Sequence, residues 1–354
     1  NSLAHSSKSF PVRRDYRGRS CNERWRNSMG ENKPLNILIT SSGRRTSLLL
    51  AFKEAVKPLG GKVLAGDIDG LAPTLFLADR ALELIPVKNK NYIPHLCSIV
   101  EKEAIDLIVP TIDTELGALS ESRAKFQELG CIPLVSNADL IEITFDKWKT
   151  FEFFSSNGID VPLSWLPESL CESDLPDKLF IKPRNGSASQ HTYKAEKSTI
   201  GSYVKRVPDP IIQEELKGPE VTVDALLDFQ GRLIHYVPRI RIRTLAGESI
   251  EGETIDDREL RPWLCRILEL IGSKGGIGPM TLQFFITDRG PVLTEVNPRF
   301  GGGFPLANAA GGRYPEWIVQ MLNGVEIKPR ISEYRKGLYM TRHYTEIFTE
   351  RKAF

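Results

Sequence analysis

Met280-Thr281-Leu282-Gln283-Phe284-Phe285-Ile286-Thr287, then Asp288-Arg289-Gly290, then Pro291-Val292-Leu293-Thr294-Glu295-Val296-Asn297 is the stretch that decides the fold. Two runs rich in β-branched and aromatic residues flank a turn signal, which is the pattern of a β-hairpin. A three-residue loop over 288–290 pairs Thr287 with Pro291, and continuing the ladder sets Gln283 opposite Glu295. Asn297 lies two residues beyond Glu295, so its side chain points to the same face. Three oxygen-bearing side chains then share one patch, which suits a hard divalent ion that also takes phosphate oxygens. The hairpin alone equally allows a solvated polar strand face closed by a turn at Asn297-Pro298.

Upstream of the hairpin the same grammar continues. Residues 179–182, 191–195, 210–215, 221–228 and 233–243 read as strands joined by short turns, and 261–272 as a helix, predicting a mainly antiparallel α+β region. Earlier in the chain the pattern changes. Strands over 36–40, 62–67 and 105–110 alternate with helices over 46–56 and 92–103, predicting a parallel βαβ domain over 34–135. A helix over 146–157, with Trp148, Phe151 and Phe154 at helical spacing and Gly158 as a C-cap, opens the second part.

The chain has 354 residues, 41% hydrophobic and 26% charged. That predicts about two soluble domains, and no apolar run approaches the ~18 residues needed to span a bilayer. Residues 1–28 hold seven cations and two anions, a local +5 against +2 for the whole, so the remainder is −3. A body of that sign argues against nucleic-acid binding. The arm has no core pattern; it reads as a disordered leader over 1–33, with Met29 as a start site. Five scattered cysteines without a CxxC pair point to a reducing cytoplasm and against zinc or a disulfide framework.

Lys182 ends an apolar run and precedes Pro183-Arg184-Asn185-Gly186-Ser187-Ala188-Ser189. Small residues let backbone amides approach an anion, and the lysine adds a point charge for phosphate. Taken alone, an incidental lysine beside a hairpin loop reads the same way. Gln213-Glu214-Glu215-Leu216-Lys217-Gly218-Pro219-Glu220 forms an extended turn whose backbone can face an adenine edge, with Glu220 able to accept ribose hydroxyls. A charged surface turn is the alternative.

In this order the segments resemble the ATP-grasp superfamily, specifically its carbamoyl-phosphate-synthase-like carboxylate-amine ligases, over about residues 34–325. The resemblance is carried by Phe145-Asp146-Lys147, Phe180-Ile181-Lys182-Pro183-Arg184, the glycine-serine loop, the Gln213 to Glu220 turn, Gln283, and Glu295-Val296-Asn297-Pro298-Arg299. It implies a pre-ATP-grasp α/β domain over 34–135, an ATP-grasp domain over 136–325 with lobes about 146–215 and 216–325, and an extension over 326–354. It implies that Lys147 and Lys182 hold ATP phosphates with the loop of Gly186, Ser187 and Ser189. The resemblance further implies that Gln213, Glu214 and Leu216 form the adenine hinge, that Glu220 holds ribose, and that Gln283, Glu295 and Asn297 bind magnesium, with manganese as a substitute. Relatives continue the loop with an apolar residue and glycine, where Gln190-His191 stand here; His191 reads either as a phosphate donor or as a solvated side chain.

Arg239, Arg241 and Arg243 alternate along one strand and share a face if no bulge intervenes. Arg241 and Arg299 are expected to contact the substrate, whereas Arg239 and Arg243 read as a solvated cationic face. Gly301-Gly302-Gly303 permits close backbone approach. No GxxxxGK[ST] occurs, and no GxGxxG follows the first strand. Ser41-Ser42-Gly43-Arg44 reads as an ancillary substrate loop or as a dinucleotide loop of unusual sequence, and Asp113-Thr114-Glu115 as either an amine-orienting group or the cap of a helix starting near Glu115. The expected activity is an ATP- and magnesium-dependent ligase joining a small-molecule carboxylate to an amine, with Lys182, Arg241 and Arg299 at the chemistry. A non-catalytic nucleotide-binding switch and an ATP-grasp kinase are the alternatives, and a homodimer is an open assembly state.

Overall fold

The computed structural model describes residues 33–186, 191–245 and 248–354, so the basic arm and Ser187 to Gln190 lie outside the described residues. Strands β1 (Asn36–Thr40), β2 (Lys62–Asp67), β3 (Arg80–Glu83), β4 (Leu107–Pro110) and β5 (Ile132–Pro133) form a parallel sheet in the order β3-β2-β1-β4-β5. Ile37 pairs with Val63 on one side and Leu107 on the other. The central strands β1 and β4 are buried almost along their length because helices cover both faces of the sheet, while the edge strand β3 stays more open. The helix Thr46–Val56 buries Leu48, Leu49, Phe52 and Val56 on it. Chain order reverses between β1 and β4, which leaves a crevice at their C-terminal ends, where Ser42 and Asp113 sit.

A second, antiparallel sheet has the order β6-β9-β7-β8, with β6 (Ser164–Trp165), β7 (Lys178–Pro183), β8 (Tyr193–Glu196) and β9 (Pro210–Glu214). Leu179, Ile181, Ile200 and Ile212 form its core. The third sheet follows the order β14-β13-β10-β11-β12-β15, from β10 (Glu220–Leu227), β11 (Leu233–Leu245), β12 (Glu248–Thr254), β13 (Gly278–Thr287), β14 (Gly290–Asn297) and β15 (Tyr339–Thr341). Its back is apolar and packs on the helix Arg261–Ser273 through Leu264, Ile267, Leu268 and Ile271. The segment 326–354 contributes β15 to this sheet's edge, so it is part of the sheet as well as an extension.

The hairpin corrects the expected loop. Thr287 pairs with Gly290, so the turn is the two residues Asp288-Arg289, with Gly290 at φ +104°. A bulge between Phe284 and Gln283 then inserts Thr294, whose Oγ1 donates to the Gln283 carbonyl at 3.0 Å. The shorter turn and the extra residue cancel, and Gln283 still faces Glu295. A bulge also breaks the β11 register between Arg241 and Arg243, so the three arginines do not form one row.

Candidate functional site

A cleft of about 1070 Å³ opens between the small sheet, the polar front of the large sheet and the crevice of the parallel sheet. Its floor follows from register. Glu295, Gln283, Thr222 and Arg239 are consecutive cross-strand partners along β14, β13, β10 and β11. A second row, Asn297, Thr281 and Asp224, lies two residues along. Alternation puts both rows on the same face, opposite the apolar core.

Gln283, Glu295 and Asn297 come together as expected: Asn297 Nδ2 donates to Glu295 Oε1 at 2.9 Å, and Arg241 Nη1 reaches Gln283 Oε1 at 3.3 Å. The set is all oxygen with one carboxylate, which suits a hard divalent cation completing its shell with phosphate and water. Among the described residues no group of three His, Cys, Asp or Glu could hold a metal, which leaves this amide-carboxylate set as the candidate.

Two lysines face it. Lys182 on β7 is buried, and loss of solvent pushes its ammonium down to about 8; Glu295 and Glu220 oppose that shift and Lys147 adds to it. Lys147 opens the helix Lys147–Ser156 behind Asp146, whose carboxylate accepts from Trp148 N. Burial lowers its ammonium too, against the pull of Glu295, Asp113 and Asp146. Its Nζ donates to the Gly186 carbonyl at 2.9 Å, and Arg184 Nη2 donates to Asp146 at 2.6 Å, so the root of the glycine-serine loop is tied to this helix. Gly186, at φ +144°, is the last described residue before that loop; Ser187 and Ser189 lie outside the described residues.

The turn after β9 closes the far wall. Glu214's carboxylate accepts from Leu163 N at 2.9 Å and from Arg289 Nη2 at 2.5 Å, which leaves its backbone as the part facing the cleft. Gln213 Nε2 donates to Ser164 Oγ at 2.9 Å and is buried. Leu216 lines the cleft. Gly218, at φ +123°, would set a Cβ 2.0 Å from the Ile286 carbonyl, so only glycine lets this turn rest on the hairpin. Glu220 pairs with Arg241 Nη1 at 2.5 Å. His191, at φ +54°, lines the cleft with an exposed side chain.

Three placements differ from expectation. Arg239, expected on a solvated face, is 2% exposed, and its Nε donates to Asp224 Oδ2 at 2.8 Å. Alternation along β11 gave the face but not what covers it. Arg243 is exposed and paired with Glu251 at 2.5 Å, as a surface cation would be. The helix expected near Glu115 starts at Asp113, and Glu115 is buried, accepting from Tyr92 OH at 2.7 Å and from Thr111 N at 3.1 Å. Burial raises its carboxyl above the usual range. Asp113 instead receives both arms of Arg299, Nε at 2.8 Å and Nη2 at 2.6 Å, while Arg299 Nη1 donates to the Phe300 carbonyl. In the loop after β1, Gly43 N donates to Asp67 Oδ2 at 2.7 Å and Ser42 Oγ meets Thr74 Oγ1 at 2.7 Å; Arg45 is the residue there that lines the cleft.

Comparison with known proteins agrees with this architecture. Residues 37–134 match the family "PylC-like, N-terminal domain", and 206–345 match "ATP-grasp in the biosynthetic pathway with Ter operon". The two stretches are thus similar to those two families, each over less than half of the chain. It is 25% identical over 264 residues to a phosphoribosylamine–glycine ligase of Methanocella arvoryzae, covering 63% of this chain and 58% of that one. The chain spans less than two thirds of the length of the curated relatives it matches. The fold is shared with the biotin carboxylase domain of 2-oxoglutarate carboxylase from Hydrogenobacter thermophilus, at TM-score 0.70 and 14% identity over 86% of this chain and 73% of that one. It is also shared with an L-amino acid ligase from Bacillus licheniformis, at TM-score 0.64 and 17% identity over 84% and 78%.

Proposed function

We propose that the chain is an ATP- and magnesium-dependent ligase that activates a carboxylate as an acyl phosphate and passes the acyl group to an amine. The observation that carries this reading is the opposition, across one cleft, of two lysines, Lys182 buried and Lys147 half-buried, and an all-oxygen patch with a single carboxylate. Cations partly withdrawn from water on one wall and hard-ion ligands on the other make a site for a polyphosphate.

In this reading Lys147 and Lys182 hold the phosphates with the loop of Gly186, Ser187 and Ser189. The backbone of Glu214 and Leu216 meets adenine, with Gln213 bracing the strand beneath, and Glu220 takes the ribose hydroxyls while Arg241 steers it. Magnesium, held by Gln283, Glu295 and Asn297, would neutralise phosphate charge, and manganese would substitute for it. The acid's carboxylate oxygen attacks the γ-phosphorus, the bond to the β,γ-bridging oxygen breaks, and ADP leaves. The amine nitrogen then attacks the acyl carbon, the bond to phosphate breaks, and the nitrogen gives its extra proton to solvent. Lys182 and Lys147 stabilise the transferring phosphoryl group; positioning and electrostatics do the rest. Arg299, with its fork in Asp113, draws the parallel sheet's crevice onto the site. The four described cysteines are free thiols, which suits the cytoplasm, and a homodimer is the assembly to test.

The test is phosphate release from ATP across pairs of amino acids and other carboxylic acids with amines, with product mass. Release that needs both acid and amine supports the ligase; release with neither, or phosphorylated product alone, contradicts it.

A further inference from the structure

Arginine donors in the cleft are spent unequally. All three nitrogens of Arg299 are taken, two by Asp113 and one by the Phe300 carbonyl. Arg239 differs: its Nε is held by Asp224, but its Nη1 is buried with no partner. Directly across β10, Thr222 Oγ1 is also buried without a partner, and both residues line the cleft. Both are only 2% exposed. A buried guanidinium donor and a buried hydroxyl left unmet destabilise the fold, and a bound acceptor recovers that cost.

The setting says what that acceptor is. Thr222 stands between Arg239 and Gln283 in the cross-strand row, so Arg239 lies two strand spacings, about 10 Å, from the metal-ligand patch. Side chains reaching inward from both ends of that span leave room for a carboxylate between the guanidinium and a phosphoryl group held at the patch. The backbone at Gly303 passes directly over the guanidinium: a Cβ there would sit 2.1 Å from Arg239 Nη2. Asp224 fixes the guanidinium through Nε and leaves the other edge to a ligand, the geometry by which arginine receives a carboxylate.

Resting on the ligase reading, we propose that Arg239, with Thr222 beside it, is the subsite for the carboxylate of the acid substrate, whereas the sequence pattern points to Arg241 and Arg299 for substrate contacts. The oxygen held there is the one that stays on the acyl carbon while the other oxygen takes the phosphoryl group.

Sodium acetate is the probe, titrated in the presence of MgADP at constant ionic strength and followed by thermal melting. Wild type is expected to gain stability with acetate. Arg239→Lys should need about tenfold more acetate for the same gain, and Thr222→Val about threefold more, with ADP affinity within about twofold of wild type. Thr222→Val removes a hydroxyl that has no protein partner, so it folds and keeps the test standing if Arg239→Lys does not. Equal acetate responses in wild type and the folded variants, or no response in wild type, overturn the proposal. Failure of phosphate release across every acid–amine pair removes the ligase reading alone, because the acetate response is read without turnover.

Discussion

Glu115 and Glu295 show how differently two regions of this molecule treat a carboxylate. Glu115 sits under the parallel sheet, sealed from water and bonded to Tyr92 and Thr111. Burial raises its carboxyl and so favours the protonated form, while the bonds from Tyr92 and Thr111 oppose that shift. Glu295 sits on the front of the antiparallel sheet, half-buried, beside Asn297 and facing Lys147 and Lys182. Around Glu115 polar groups are closed on one another; across the cleft, charges are held apart, and donors such as Arg239 Nη1 stay unmet. Closure serves stability, and the unmet charges mark where a ligand belongs.

Glu295→Gln sharpens that contrast most. It should melt within a degree or two of wild type yet lose turnover by about a thousandfold, since the one negative ligand of the patch is gone. Near-normal turnover at saturating magnesium would take Glu295 out of the metal set. Asp224→Ala strikes the other way: it strands Arg239 in the floor of the cleft, and breaking a buried pair of this kind costs about 3–5 kcal/mol. Chemical denaturation showing a loss under about 1 kcal/mol would mean that the pair is not buried as described.

Glu115→Gln should be the mildest change, costing about 1 kcal/mol or less, because a neutral amide replaces a group already inclined to be neutral. It should also alter pH dependence. A carboxyl raised in the folded state contributes stability that is present below its unfolded value of 4.5 and is lost as pH rises through the folded value. Stability measured upward from pH 4.5 should therefore fall less steeply in Glu115→Gln than in wild type. Identical slopes would show that Glu115 ionises in the fold without difficulty.

Sequence legibility follows the same division. The strands β1, β2, β10, β11, β13 and β14 announced themselves through apolar runs, alternation and turn signals, which are local, whereas β12 did not. Gln283 opposite Glu295 was legible although the turn is one residue shorter and a bulge at Thr294 makes up the difference; register is pinned by which face must be buried, so compensating local errors leave it intact. Contacts across the fold were not legible. Asp113 meets Arg299 from 186 positions away, and nothing near either residue signals the other. Arg239 and Arg243 look alike in sequence, yet Asp224 and the Gly303 backbone bury the first while the second, beyond a bulge, stays in solvent. The triplet Gly301-Gly302-Gly303 was the available signal, since glycines in a row mark something packed too closely for a side chain.

The central claim is that Lys182 meets the phosphates of ATP while adenine and ribose lie along the turn from Gln213 to Glu220. Calorimetric titration of ATP and AMP into wild type and Lys182→Ala tests it most directly, with circular dichroism confirming the fold. A charge-assisted contact to phosphate is worth about 1.5–3 kcal/mol, so ATP affinity should drop by about one to two decades while AMP changes little. Because the ammonium is pushed down to about 8, ATP affinity in wild type should also weaken as pH rises through that value, and the variant should lack the inflection. Equal losses for ATP and AMP would place Lys182 away from the phosphates, and no loss for either would contradict the assignment of this cleft to ATP.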